Sequence, residues 1–365
     1  MALIALAADK GAPGVTTAAI ALGAVWPRPV LVAECDQAGG DLVYRLPADG
    51  GGMLNPSRGM LSLAATARRG LRPGQIGEHS QRLVGGLDVL IGLTVAEQAQ
   101  GLTWLWGPLA RAFRGLGQPD GGAGGPGIAG AGPGIDVLAD CGRLGGGSPL
   151  LDLLREADMV VLVTRATLEH VAHLRERVSA LSGELTGLGA PPVAIAVIAD
   201  PRQYHAAVAE VDRIVSNAKL SATVIGGLAY DAKGAEMLRG QWGGRLDRSL
   251  LIRSARELAG VMIRRLPLAH PPVGAVPTTT VVPPPAPPGS PRPAPPGSLR
   301  PAAPGSTPPG PGSIPPGPGA PAHGGAGSPA QGAANHPDGN HSGGTSPTAA
   351  GPAGGGERMG EGRGR

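Results

Sequence analysis

The sequence predicts an α/β domain, a mostly parallel, doubly wound sheet with helices on both faces, followed by a disordered tail rich in Pro, Gly, Ser and Ala. Three observations predict it. Short apolar runs (2–8, 29–33, 135–139, 159–163 and 192–199) recur between segments of helical spacing, and such runs suit strands buried on both faces of a parallel sheet. The first run leads through a glycine loop into a small-residue apolar helix, the strand–loop–helix order of an anion site. From Pro267 onward the chain has almost no apolar periodicity and cannot bury enough surface to offset the entropy of ordering. The 365 residues therefore divide into a domain at 1–266, long enough for a sizeable core, and a tail at 267–365. Aromatic residues make up only 2 % of the chain, so the core must come from Leu, Val, Ile and Ala.

The loop reads Lys10-Gly11-Ala12-Pro13-Gly14-Val15-Thr16-Thr17. Its glycines let backbone N–H groups converge on an anion, and the helix N-terminus behind them adds a favourable dipole. A hydroxyl at the helix start, Thr16 or Thr17, can hold Mg²⁺. A standard phosphate loop, G-x-x-x-x-G-K-[ST], carries a lysine just before that hydroxyl. Here Val15 stands there, and the lysine lies early, at Lys10. Taken alone, the stretch also reads as an ordinary Gly/Pro turn.

The second apolar run ends in Glu34-Cys35-Asp36-Gln37. A carboxylate at a strand's C-terminal end can orient water and Mg²⁺ against a phosphate; a solvated acidic turn is the plainer reading. Between 41 and 81 the pattern is least legible, with a turn at 49–52 and helical spacing over 60–69. Arg68, Arg69 and Arg72 would suit nucleic-acid phosphates or the solvated end of a helix. A strand follows at 87–92, then helical spacing over 95–116 that carries Trp104, Trp106 and Phe113, a packing or dimer face. Residues 118–134 read as a surface loop. Ile135 to Gly142 is an apolar strand ending in Asp140, a residue type that holds Mg²⁺ at this place, with Gly142 and Arg143 after it.

Helices are expected at 150–155 and 168–188, and strands at 159–163, 192–199 (ending in Asp200) and 224–231. The last helix, 249–266, puts Leu251, Ala255, Leu258, Met262 and Leu266 on one face. The recurring Gly-Ser steps among the tail's prolines imply an extended, semi-stiff tether that can carry a partner site. The formal charge of +4 comes with no long basic run, so composition does not argue for nucleic acid. Residues 1–8 lack a basic leader region, and no apolar stretch reaches the ~18 residues of a membrane span. Two cysteines, Cys35 and Cys141, are too few for a disulfide framework. A cytoplasmic chain is expected.

The glycine loop, the acidic strand end and the later Asp140, in this order, resemble the ParA/MinD family of P-loop ATPases. The family's deviant loop, K-G-G-x-G-K-T-[ST], is matched at Lys10, Gly11, Gly14, Thr16 and Thr17, with Ala12 for the second glycine and Val15 for the second lysine. The resemblance implies a P-loop NTPase-like fold, ATP or ADP as ligand and Mg²⁺ as metal. It places Gly11 to Thr17, including Ala12, Pro13 and Val15, around the nucleotide. It gives Lys10 a role across a nucleotide-sandwich homodimer, and puts Asp36 in switch I beside the attacking water. Thr16, Asp36 and Asp140 fall on Mg²⁺, and Asp200 stands near the adenine-recognising asparagine. Glu34 occupies the first aspartate's place in switch I, and Tyr230-Asp231 is retained with Ala229 for the family's proline.

The implied function is an ATP-dependent dimeric switch that positions or partitions a cargo: a chromosome or plasmid, a septum site, or a pilus or secretion apparatus. The uncharged Val15 points to weak or absent hydrolysis. The alternative is a pseudo-ATPase scaffold that acts through protein–protein contacts. A metabolic ligase of the same superfamily lacks any substrate motif. Besides a second copy, a protein partner reached through the tail is expected, and nucleic acid is the weaker expectation. MinD relatives end in a basic amphipathic membrane helix, but here the last helix has a small apolar face that suits packing on the sheet, so no membrane partner is expected.

Overall fold

The computed structural model describes residues 1–9, 11, 14–116, 134–187, 189–240 and 245–266. Lys10, Ala12 and Pro13 of the loop, the glycine-rich stretch 117–133 and the whole of 267–365 lie outside the described residues, and so do the expectations placed on them.

In chain order the elements are β1 (Leu3–Ala8), α1 (Val15–Val25), β2 (Val30–Glu34), α2 (Leu42–Arg45), α3 (Met60–Ala67), α4 (Pro73–His79), β3 (Gln81–Arg82) and β4 (Asp88–Leu90). There follow α5 (Ala96–Gln100), α6 (Trp106–Arg114), β5 (Asp136–Arg143), α7 (Leu151–Arg155), β6 (Met159–Arg165), α8 (Leu168–Glu184), β7 (Val193–Ala199), α9 (Tyr204–Asn217), β8 (Thr223–Ala229), α10 (Ala232–Leu238) and α11 (Leu250–Arg265). The strands form one sheet in the order β3-β4-β2-β5-β1-β6-β7-β8. All neighbours run parallel except β3 against β4.

Strand periodicity explains the two cores. Along β1, Leu3, Ala5 and Ala7 enter one apolar cluster, with Trp106, Phe113 and Val178. Ile4, Leu6 and Ala8 enter the other, with Ala18, Ala19 and Met262. A strand alternates its side chains, so helices on both faces are needed to cover it. The α1 helix lies close because it is built of small residues. A Cβ on Gly23 would stand 2.7 Å from Val32 Cγ2 and 3.1 Å from a Leu87 methyl.

The expected helix over 95–116 is a correction. It is broken into α5, a 3₁₀ turn at Thr103–Leu105, and α6. Pro108 has no N–H to continue a helix from the preceding turn, and the chain restarts so that Pro108 falls in the first turn of α6. Trp106 and Phe113 are fully buried, so both are core, while Trp104 remains 41 % exposed. The last helix packs on the sheet as expected: Leu251, Ala255, Leu258 and Met262 are buried beside α1 and β8. Among the described residues no helix is long and apolar enough to cross a membrane.

At the edge of the sheet opposite the glycine loop, Asp136 ties three segments together. It is 1 % exposed. The Ala2 N–H donates to its Oδ1 at 2.7 Å, and Trp26 Nε1 and Arg28 Nε donate to its Oδ2 at 2.8 and 2.7 Å. Removing this acceptor strands buried donors and the Arg28 charge. Asp136→Ala is therefore expected to destabilise the fold by roughly 3–5 kcal/mol, the usual result of breaking a buried pair from one side, with Asp136→Asn losing less. Equilibrium denaturant unfolding measures both; a loss below about 1 kcal/mol for the alanine variant would show that Asp136 is not a tie point.

Candidate functional site

In this sheet β1 lies between β5 and β6, where the chain order reverses. Such a switch point opens a crevice at the C-terminal ends of the strands. Asp9, just past β1, is held there by Arg177 of α8, whose Nε lies 2.8 Å from Asp9 Oδ1. Gly11 (φ 72°) and Gly14 (φ 107°) adopt left-handed backbone conformations that glycine tolerates and side chains resist. Gly14 caps α1, yet no side chain satisfies the first N–H groups of this 11-residue helix. Its positive end therefore faces the crevice.

Thr16, in the first turn, hydrogen-bonds the carboxylate of Asp140 on β5. Asp140 is fully buried. Its Oδ1 accepts the Gly142 N–H at 3.1 Å, while Oδ2 is buried with no hydrogen-bond partner. Burial pushes this carboxyl up to about 7; the Thr16 and Gly142 hydrogen bonds oppose the rise, and the charges of Glu34 and Asp36 add to it. Asp36 follows β2, with its Oδ1 accepting the Ala38 N–H at 2.8 Å. Its carboxyl lies across Gly142: a Cβ there would be 2.0 Å from Asp36 Cγ, and φ at Gly142 is 56°. Burial raises the Asp36 pKa, and Arg143 counters it. Thr16, Asp36, Asp140 and Gly142 thus converge.

Glu34 plays a different part from the one its place in the pattern implies. It is 3 % exposed and accepts N–H groups of Asp41 (2.8 Å), Leu42 (3.1 Å) and Gly92 (2.8 Å). It clasps the turn after β2 to the end of β4 and so steadies Asp36. Val15 is also structural in its side chain: it is 6 % exposed and packed in the apolar cluster with α1 and α11. Cys35 and Cys141 are buried free thiols, and burial pushes both pKa values well up. They behave as small hydrophobes.

Beside the loop lies a cavity of about 280 Å³, bounded by Gly14, Thr17, Arg165, Ile198, Tyr230 and Arg239 among others. The guanidinium carbon of Arg165 lies 5.4 Å from the Tyr230 ring centroid. Arg165 was not singled out in the sequence; its only signal there is a charge closing an otherwise apolar strand. Asp231 is committed elsewhere, capping α10 through the Gly234 N–H (2.9 Å) and accepting the Leu250 N–H (2.9 Å). Asp200 is exposed at the end of β7, where its Oδ1 accepts the Arg202 N–H at 2.8 Å, and the structure does not bring it to Thr16 and Asp140. A larger hollow of about 710 Å³ sits away from the loop, between Arg68, Leu71, Trp104 and Arg111. It holds no carboxylate and no glycine loop. Arg68, Arg69 and Arg72 are exposed on that side.

Comparison with solved structures bears on the fold. The ParA family ATPase of Chlorobium tepidum matches with a TM-score of 0.52 at 13 % identity, covering 71 % of this chain and 98 % of that one. The fold is that of the ParA/MinD ATPases. The cell division ATPase MinD of Pyrococcus furiosus matches with a TM-score of 0.50 at 14 % identity, over 72 % of this chain and 98 % of that one. A Cyanothece McdA variant in complex with ATP matches with a TM-score of 0.51 at 14 % identity, over 74 % and 99 %. No family model matches the sequence, and no curated protein matches it.

On this ParA/MinD fold the site residues fit a magnesium nucleotide. Among the described residues the start of α1 has no side-chain cap, and the buried Asp140 Oδ2 lacks a partner. No cluster of three or more His, Cys, Asp or Glu able to hold a metal occurs among the described residues. Thr16, Asp36 and Asp140 are a sparse oxygen set, which suits Mg²⁺ because that ion keeps several waters and phosphate oxygens as ligands.

The Asp140 shift has a signed consequence. A carboxyl whose pKa is higher when folded binds a proton that the unfolded chain has released. Its contribution is fully present below the unfolded value and is lost as pH rises through the folded one. For Asp140 the window runs from 3.8 to about 7. In the nucleotide-free protein, Asp140→Asn is therefore expected to gain stability over the parent as pH rises through that window, reaching on the order of a few kcal/mol above it. Thermal unfolding of both proteins across the window checks this; a pH-independent difference would contradict it.

Proposed function

We propose that this chain is a ParA/MinD-like nucleotide-dependent switch, with residues 1–266 as the ATP/ADP-binding domain. One observation carries the reading most: the buried, half-satisfied Asp140 carboxylate, bonded to Thr16 at the uncapped start of α1. In this reading the backbone of Gly11 to Thr17 binds the phosphates, with Ala12 and Pro13 completing the loop. Thr16 and Asp140, with Asp36, hold Mg²⁺. The ion when bound neutralises phosphate charge and fixes the orientation of the phosphate oxygens. Asp36, steadied by the Glu34 clasp, positions water. Asp200, or the backbone near it, borders the base.

Val15 supplies no charge, and its side chain is buried in the core. Loss of one charged hydrogen bond costs on the order of 1.5–3 kcal/mol, so binding is expected to be weak and hydrolysis slow or absent. Lys10 then carries the cross-dimer role, neutralising two triphosphates that face one another in a homodimer. The cargo class is a partitioned or positioned cellular body: a chromosome or plasmid, a septum site, or a pilus or secretion apparatus. The tail at 267–365 is a tether for a protein partner. Buried, unpaired thiols suit a reducing cytoplasm.

The burial of Val15 also favours a second reading, a pseudo-ATPase scaffold that retains the fold and acts through its surface and tail. Titration of the full chain with ATP, with and without Mg²⁺, separates the two. The switch requires Mg²⁺-dependent binding that Asp140→Asn weakens at least tenfold. It also requires an ATP-dependent doubling of mass by light scattering, which Lys10→Ala abolishes while leaving the monomer folded. A parent that binds no nucleotide, or dimerises equally without it, is the scaffold.

A further inference from the structure

Arg165 ends β6, and its place is set by pairing with Ile198 of β7. The strand before it is buried and apolar through Val163, so the guanidinium emerges where the sheet meets the crevice. It lines the same cavity as Gly14 and Thr17, at the start of α1. Its Nε is buried and has no hydrogen-bond partner. Among the described residues it makes no ion pair: of the acids on that cavity, Asp231 is taken up by backbone amides, and Glu236 forms no salt bridge with it. Tyr230 lies across one side of the guanidinium. A ring contact of this kind orients the planar group and leaves its N–H edges free to donate. It does not replace the hydration that burial removes.

A half-buried cation with no ion pair among the described residues, bordering a glycine loop, calls for an anion. Meanwhile the residue that ought to supply a cation, Val15, is turned into the core. We propose that Arg165 is the side-chain cation that binds the phosphates of a nucleoside di- or triphosphate in this chain, doing from the end of β6 what Val15 cannot do from α1. The inference rests on the nucleotide-binding reading above and adds to it a phosphate-binding residue outside the loop.

The test compares parent, Arg165→Gln and Arg165→Lys, each as the full chain, by calorimetric titration with ATP and with ADP, after thermal unfolding has shown each to be folded. Glutamine keeps much of the length and some donors without the charge, and lysine keeps the charge without the planar stack. The glutamine variant is expected to bind both nucleotides on the order of 10- to 100-fold more weakly, and the lysine variant to stay within a few-fold of the parent. Two results overturn the proposal: glutamine binding as tightly as the parent, or glutamine and lysine losing affinity equally, which would make Arg165 a base-stacking group. If glutamine does not fold, the lysine variant decides alone, since a tenfold loss there removes charge as the cause. A parent that binds neither nucleotide refutes the nucleotide reading itself.

Discussion

The site depends on a single constraint: a carboxylate held at the centre of the sheet with no ion-pair partner among the described residues. Asp140 lies on β5 between β1 and β2, in register with Leu6 on one side and Glu34 on the other. Its own carbonyl accepts the Cys35 N–H at 2.7 Å, so its backbone is locked into the ladder. The side chain cannot swing to water, and only Thr16 and Gly142 answer it. The register shift between Leu6 and Ala8 and the left-handed turn at Gly142 follow immediately beyond. They bring Asp36 across the gap.

Charge decides what this crevice can accept. Burial raises the proton affinity of three carboxylates, Glu34, Asp36 and Asp140, and the charges of Glu34 and Asp36 raise that of Asp140 further. Glu34 is compensated by three backbone amides. Asp140 is not. On the other side of α1's start stand an uncapped helix terminus and an unpaired guanidinium. A ligand that carries both a divalent cation and a string of anionic oxygens satisfies the two halves at once, and each half without the other would worsen the imbalance. That is the physical reason a magnesium nucleotide, rather than a free anion or a free metal, is the ligand proposed for this crevice.

Much of this was legible in the sequence because the fold is local in its signals. Continuous apolar runs mark β1, β2, β5, β6 and β7, and the glycine loop, Asp36 and Asp140 stand at the ends of the first three. What could not be read depended on partners far along the chain. Asp136 meets groups 110 and 134 residues away, and nothing around it announces a hub. Glu34 fitted a catalytic pattern in sequence, yet it is occupied by the Gly92 amide 58 residues on. The helices between 41 and 81 are short, four to eight residues, so only the spacing over 60–69 marks one of them. Helical spacing over 95–116 does not register Pro108, which falls in the first turn of α6 where the chain restarts. Arg165 is one arginine among many, distinguished only by the cavity that the fold places in front of it.

The central claim, that the start of α1 and the end of β5 form a cradle for phosphate, is tested most directly by amide hydrogen exchange on the full chain with and without ATP and Mg²⁺. The amides of Val15, Thr16 and Thr17, at the uncapped start of α1, have no side-chain acceptor among the described residues. Bound phosphate would give them one. The account predicts marked slowing of exchange across Gly11 to Thr17 and at Asp140 to Arg143, and little change around Asp136 at the far edge of the sheet. Unchanged exchange at the loop under saturating magnesium nucleotide, or protection confined to the Arg68–Trp104 side, would contradict it.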